Sequence, residues 1–131
     1  MNDPEIRQQR RQISRSESFA CAFRGLGLLL KTQTNARIHL FVTCIITALG
    51  LLLSISRMDW ICVALAAGCV WSAEGLNTAV EFLTDRVSPE WSTEAAHVKD
   101  VAAGAVLLSA IAAAIVGVLV FVPPLWRIVA S

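Results

Sequence analysis

Three long apolar stretches constrain this chain more than any other feature of its sequence. They cover about residues 37–56, 60–85 and 99–122. A helix that crosses the roughly 30 Å hydrocarbon core of a bilayer needs about 20 apolar residues. The stretches have about that length, and they lack the alternation that barrel strands show. Because only helices and closed barrels satisfy their backbone hydrogen bonds in lipid, the sequence predicts three membrane-spanning helices.

The composition agrees with a membrane protein and excludes several other classes. Hydrophobic residues make up 56% of the chain and charged residues 16%, against about 45–50% and about 25% in soluble domains. The length of 131 residues allows one domain. A net charge of +1 gives no reason to expect a nucleic-acid partner. The four cysteines lack C-x-x-C spacing and only two histidines accompany them, so we expect no zinc site.

The segment before the first apolar stretch has two parts. Residues 1–15 carry positive charge without the apolar core of a secretory signal, which predicts a flexible cytoplasmic N-terminus. Over about residues 16–32, Phe19, Phe23, Leu26 and Leu30 share one helical face. This pattern favours an amphipathic helix that lies in the membrane interface, with a solvent-facing linker helix as the alternative. Residues 16–131 are then expected to form a single membrane domain.

The distribution of lysine and arginine predicts the orientation in the membrane. Seven of these residues lie before or at the start of the first span: Arg7, Arg10, Arg11, Arg15, Arg24, Lys31 and Arg37. Because positive charge stays inside, the N-terminus and the loop 85–100 are expected on the cytoplasmic side of the membrane. The C-terminus is expected outside, after Pro123 and Pro124, which are predicted to end the third helix.

The second apolar stretch contains a stripe of polar residues. Glu74, Asn77, Glu81 and Asp85 are offset by three, seven and eleven residues, which places all of them on one narrow face of a helix. In the predicted topology Asp85 lies at the cytoplasmic surface. Glu81 lies about 6 Å deeper and Glu74 about 16 Å deeper, at 1.5 Å per residue. The stripe therefore leads from the cytoplasm into the bilayer.

Ionised carboxylates within a bilayer are expensive, by about 2.5–3.5 kcal/mol each on insertion scales. Asn77 alone would suit a structural hydrogen bond between helices. Glu74 and Glu81 suit that role poorly, because lysine and arginine occur only at the ends of the apolar stretches and none lies inside them to pair with the carboxylates. The stripe therefore indicates a functional site, suited to a reaction between a water-soluble reactant and one dissolved in lipid.

Lys99, at the same interface, is either a phosphate-binding cation or an ordinary snorkelling side chain.

Two motifs carry a resemblance to a known family. Residues 74–85 read EGLNTAVEFLTD and residues 99–107 read KDVAAGAVL. Together they resemble the signature of the prokaryotic diacylglycerol kinase family, which includes the undecaprenol kinases. The stretches AFRG at 22–25, NARIH at 35–39, SRMDW at 56–60 and VSPE at 87–90 are more similar to the undecaprenol kinase branch.

The resemblance implies an all-α homotrimer with an interfacial helix and with active sites between subunits. It implies phosphoryl transfer from ATP, with Mg²⁺, to the hydroxyl of a membrane lipid, undecaprenol more than diacylglycerol. The implied roles are a catalytic base in Glu74, an ordering residue for the phosphates in Asn77, a metal ligand in Glu81, and nucleotide or phosphate contacts in Asp85, Lys99, Asp100 and Arg24.

One position departs from the family pattern. Many members carry a second metal-binding glutamate directly after the interfacial helix, where this chain has Gln33. An amide oxygen can still bind Mg²⁺ but adds no charge, so Gln33 is a candidate metal ligand beside Glu81. The departure keeps a second interpretation open, a weakly active or inactive paralogue that binds lipid or a partner. A small transporter or proton relay is a third, although no inverted repeat supports it.

Overall fold

The computed structural model describes residues 15–130, and within this range it contains helices and no strands. The helices are α1 (Arg15–Thr32), α2 (Thr34–Leu52), α3 (Arg57–Val87) and α4 (Thr93–Val129). This confirms the all-α prediction. The predicted flexible segment 1–15 falls almost entirely outside the described residues.

Three of these helices are long and apolar enough to cross a membrane: α2 with 19 residues, α3 with 31 and α4 with 37. At 1.5 Å per residue, α2 matches the hydrocarbon core at about 28 Å, whereas α3 and α4 are longer than the core is thick. The prediction of three spans is therefore confirmed. The polar ends of α3 and α4 have room to extend beyond the lipid.

The third span differs from its prediction at both ends. It begins at Thr93 rather than at Lys99, because the Ser92 hydroxyl accepts a hydrogen bond from the Ala95 N–H at 3.1 Å and caps the helix. Pro123 and Pro124 were wrongly expected to end it, since α4 continues to Val129 with both prolines inside. Each proline removes one backbone donor, but unwinding the last turns would leave more backbone groups unpaired in an apolar environment.

The amphipathic segment is a helix, α1, and a single extended residue, Gln33, joins it to α2. The side chains of Phe19 and Phe23 are 68% and 72% exposed within the chain. Leu29, in contrast, is buried. Most of the apolar face of α1 is therefore left for another apolar surface, as an interfacial helix requires.

Few residues are buried within residues 15–130. The apolar ones are Leu29, Ala36, Val70, Val106, Val120 and Phe121, and the polar ones are Glu74, Asn77 and Thr78. The pair α3 and α4 forms the most extensive helix contact. Many large apolar side chains on all three spans point away from this thin core. Such a surface suits lipid or further protein rather than water.

The turn between α2 and α3 is closely packed at Gly50. A Cβ on Gly50 would lie 2.8 and 2.9 Å from two carbons of the Trp60 ring. The turn itself is fixed by Ser54, which has a positive φ of 49°, and by a capping box in which Ser56 and Asp59 satisfy each other's backbone N–H groups.

We expect Gly50→Ala to destabilise the protein, because the added methyl must displace the Trp60 ring, and overpacking of this kind costs about 1–3 kcal/mol. The measurement is thermal unfolding in detergent micelles. The matched control is Gly117→Ala in α4, where a Cβ would meet no atom within 4 Å. Equal melting temperatures of the two variants would contradict the close contact at Gly50.

Candidate active site

The polar stripe of α3 is buried progressively along the helix. Asp85 is exposed and Glu81 half-buried, whereas Asn77 is 7% and Glu74 only 1% exposed. Helical spacing places the four side chains on one face, and the packing of neighbouring helices covers only the deeper end. A reactant in water can thus reach Asp85 directly, while Glu74 is enclosed.

Glu81 is held by two amide groups. Gln33 Nε2 donates a hydrogen bond to Glu81 Oε2 at 3.1 Å, and Asn77 Nδ2 donates one to Glu81 Oε1 at 3.1 Å. The first bond joins the α1–α2 connection to α3, and the second lies within α3. Hydrogen bonds to a charged group are stronger than neutral ones, so the two amides fix the orientation of this carboxylate. Gln33 occupies the N-cap position of α2, but its side chain makes no capping bond.

Two buried acceptor atoms of the stripe have no hydrogen-bond partner within the described part of the chain. They are Glu74 Oε2 and Asn77 Oδ1. Buried polar atoms in native proteins are nearly always hydrogen-bonded, and those without a protein partner are often found at functional sites. Both atoms belong to residues one helical turn apart. They define a position at which a hydroxyl or another donor from a bound molecule would be stabilised.

The exposed end of the stripe meets the beginning of α4. Lys99 Nζ forms an ion pair with Asp85 Oδ1, and both side chains are partly or largely exposed. Asp100 is also exposed, in the second turn of α4. Arg24 is exposed on α1 and donates to Cys21 Sγ at 3.0 Å, and no hydrogen bond within residues 15–130 joins it to the stripe. The structure thus brings Asp85 and Lys99 together, and within residues 15–130 no hydrogen bond joins either Arg24 or Asp100 to the stripe.

His39 is a residue of this site that sequence reasoning missed. It lies on α2, is half-buried, and interacts electrostatically with the Glu74 carboxylate. The expectation that no basic residue inside the spans would face the buried carboxylates is therefore wrong. The sequence did contain a signal for it. His39 is an isolated titratable residue near the start of an apolar stretch, on a helix that runs antiparallel to the helix with the acidic stripe.

An apolar cavity of about 230 Å³ lies between the three spans. His39 and Thr43 line it from α2, Val70 and Trp71 from α3, and Phe121 from α4. Its wall is almost wholly aliphatic and aromatic, as in pockets that bind apolar ligands. His39 belongs both to this cavity and to the surroundings of Glu74. On α3 the cavity reaches Val70 and Trp71, about one helical turn from Glu74, although Glu74 itself does not line it.

The donor set at Gln33 and Glu81 is compatible with Mg²⁺. Within the described residues no group of three or more His, Cys, Asp and Glu side chains could hold a metal ion by itself. Mg²⁺, however, is usually held by one or two carboxylates together with substrate phosphates and water. In the structure the Gln33 Nε2 amino group donates to Glu81 Oε2 at 3.1 Å. The amide oxygen is the only atom of the Gln33 side chain that can bind a cation, so this amide would have to turn for both residues to hold Mg²⁺.

A family model described as prokaryotic diacylglycerol kinase matches residues 20–121 of the chain. This range contains every candidate site residue and most of the four helices. The chain belongs to the prokaryotic diacylglycerol kinase family. It is therefore an ATP-dependent lipid kinase embedded in a membrane through three helices.

Two relatives agree with this assignment. The chain is 33% identical over 122 residues to an undecaprenol kinase from Bacillus subtilis (strain 168), covering 92% of this chain and 99% of that protein. It is 40% identical over 109 residues to a diacylglycerol kinase from Synechocystis sp. (strain ATCC 27184 / PCC 6803 / Kazusa), covering 82% of this chain. The aligned part spans 62% of the Synechocystis protein.

Proposed function

We propose that this lipid kinase transfers the γ-phosphate of ATP to undecaprenol, with diacylglycerol as the second choice, at the cytoplasmic face of a bacterial inner membrane. The observation that carries the proposal is the stripe on α3, exposed at Asp85 and fully buried at Glu74. One end suits a soluble nucleotide and the other a hydroxyl that arrives from the lipid. The relative named undecaprenol kinase, aligned over almost its whole length, supports the choice of lipid.

Glu74 is the proposed general base. Its Oε2 is buried and unpartnered, so an acceptor hydroxyl that enters the site would donate its hydrogen bond there. Removing the hydroxyl proton increases the nucleophilicity of the oxygen toward the γ-phosphate, an effect typically worth 10²–10⁴-fold. Because lipid excludes water from this depth, transfer to water is suppressed.

The remaining residues position the nucleotide. Glu81 and Gln33 are the proposed Mg²⁺ ligands, and Asn77 fixes Glu81 through its amide. When bound, Mg²⁺ would neutralise charge on the transferred phosphate. Lys99 is the proposed phosphate contact, and Asp85 holds its ammonium group near the stripe. Arg24 and Asp100 are the proposed outer contacts to the nucleotide.

A homotrimer is part of the proposal. One chain leaves much of α3 and α4 uncovered, including grooves lined by Gly68, Cys69 and Ser72. Small residues allow helices to approach closely in lipid. Neighbouring subunits packed on these grooves would enclose the stripe more completely than one chain can.

The second candidate is a catalytically weak paralogue that binds lipid or a partner. One observation favours it: Gln33 supplies an amide where the family pattern has a second carboxylate.

The two candidates differ in turnover. The test is ATP consumption by the purified protein with undecaprenol, diacylglycerol or ceramide in mixed micelles. We expect the highest rate with undecaprenol, and no rate above background with any lipid would contradict kinase activity.

We expect Glu74→Gln to reduce turnover by at least about tenfold and to leave the fold intact. The amide cannot accept the hydroxyl proton, and loss of a buried charge does not destabilise a membrane helix. Activity and thermal unfolding are measured together. The matched control is Glu94→Gln, an exposed glutamate near the start of α4. A folded Glu74→Gln protein with more than about a tenth of wild-type activity would contradict the general-base role.

We expect Gln33→Glu to increase Mg²⁺ affinity. The variant places a second carboxylate beside Glu81, where Gln33 now donates its hydrogen bond. Without metal, the two like charges repel and lower the melting temperature. With Mg²⁺ they attract the cation directly, so the melting temperature rises more than in wild type, and less Mg²⁺ supports the half-maximal rate.

The control for added charge is Asn35→Glu, an exposed position two residues further along α2. It is expected to leave the Mg²⁺ response unchanged. If Gln33 contacts the nucleotide instead, the new carboxylate would repel the ATP phosphates. Weaker binding of both Mg²⁺ and ATP by Gln33→Glu would therefore refute the metal-ligand role.

A further inference from the structure

The proposed function leaves a proton to be removed. Glu74 must release the proton it takes from each acceptor hydroxyl before it can act again. Its side chain is only 1% exposed, so water does not reach it freely. Glu81 is not the candidate carrier, because it is the proposed Mg²⁺ ligand and each of its oxygens also accepts a hydrogen bond from an amide. A different titratable group must therefore carry the proton from Glu74 toward the cytoplasm.

Two interhelical hydrogen bonds fix which part of α2 faces Glu74. The Gln33 side chain bonds to Glu81, and the Trp71 indole N–H donates to Thr43 Oγ1 at 3.3 Å. Thr43 is ten residues after Gln33, and Trp71 is ten residues before Glu81. The antiparallel helices therefore keep one register between these contacts. In that register His39 lies at the level of Gly75, next to Glu74.

The surroundings of His39 agree with this placement. It interacts electrostatically with Glu74 and contributes to the wall of the apolar cavity. Its backbone carbonyl accepts a hydrogen bond from the Thr43 hydroxyl at 2.7 Å, and that hydroxyl in turn accepts from Trp71. His39 is half-buried rather than enclosed. It lies six residues from Gln33, about 9 Å along the helix axis from the exposed end of the site.

We propose that His39 is the proton-relay partner of Glu74, an inference that rests on the proposed function. The acceptor O–H bond breaks as the oxygen attacks the γ-phosphate, and the proton passes to Glu74 Oε2. It then moves from Glu74 to a neutral imidazole nitrogen of His39. This restores the carboxylate and forms an imidazolium, whose proton then leaves to water at the exposed end of the site, about 9 Å further along the axis of α2. One proton leaves for each phosphate transferred, and no other reactant is required.

Imidazole is suited to this task because one ring nitrogen can accept a proton while the other donates one. His39 acts through Glu74 and is therefore a positioning and relay residue. Its removal should affect turnover rather than nucleotide binding, since the nucleotide contacts lie nearer the cytoplasmic end of the stripe.

The test uses His39→Gln and His39→Ala in the full-length protein, with His97→Gln and His97→Ala as matched controls. His97 is the other histidine of the chain and is exposed on α4. We expect both His39 variants to lose about tenfold or more in kcat, with KM for ATP unchanged. Added imidazole should restore part of the rate of His39→Ala and leave wild type and the His97 variants unchanged.

A purely structural role for His39 would give a different result: lower melting temperatures and no response to imidazole. Wild-type kcat in His39→Gln, or an imidazole-insensitive loss in His39→Ala, would overturn the relay.

A double-mutant cycle of His39→Gln and Glu74→Gln tests the contact without turnover. We expect the two changes in melting temperature to be non-additive, as for residues in contact. Additive changes would overturn the proposed contact. Inactivity of the wild type with every lipid would instead refute the kinase function, and the cycle would still test the His39–Glu74 pair.

Discussion

The arrangement of this protein depends on a carboxylate buried inside a helix that crosses the membrane. Lipid offers Glu74 no hydrogen bonds, so the stability of its charged form rests on what the protein and its ligands place around it. The chain leaves one of its oxygens unpartnered and brings His39 close to it. This oxygen gains a hydrogen bond only when a donor from a bound molecule reaches it. Ligand binding should therefore also stabilise the helix bundle.

Hydrogen bonds between the first and second spans determine the shape of the site. The bond from Gln33 to Glu81 fixes the exposed end, and the bond from Trp71 to Thr43 fixes the helices ten residues further along each of them. Apolar side chains packed in an apolar solvent specify register weakly, because lipid competes with them for the same contacts. The few polar contacts between the helices therefore have a large influence on which residues meet.

Membership of the prokaryotic diacylglycerol kinase family explains why a chain of this size can be an enzyme. Phosphoryl transfer needs positioning and charge neutralisation more than covalent chemistry. In the proposed mechanism a base, a metal-binding carboxylate and a cation meet that need, and the candidates for all three lie on α3 and at the beginning of α4. Gln33 changes the balance of charge: it holds Glu81 in place by a hydrogen bond, where a glutamate would add a second negative charge.

The sequence by itself determined the three spans and the acidic stripe, because apolar length and helical spacing are local properties of the chain. It did not determine the ends of α4, since Ser92 caps the helix earlier and Pro123 and Pro124 lie within it. The tertiary structure was needed to show that Gln33 bonds to Glu81 and that His39 lies at the level of Glu74. These residues are 48 and 35 positions apart in the chain, and their proximity depends on how two antiparallel helices align. Periodicity defines the faces of each helix but not the register between them.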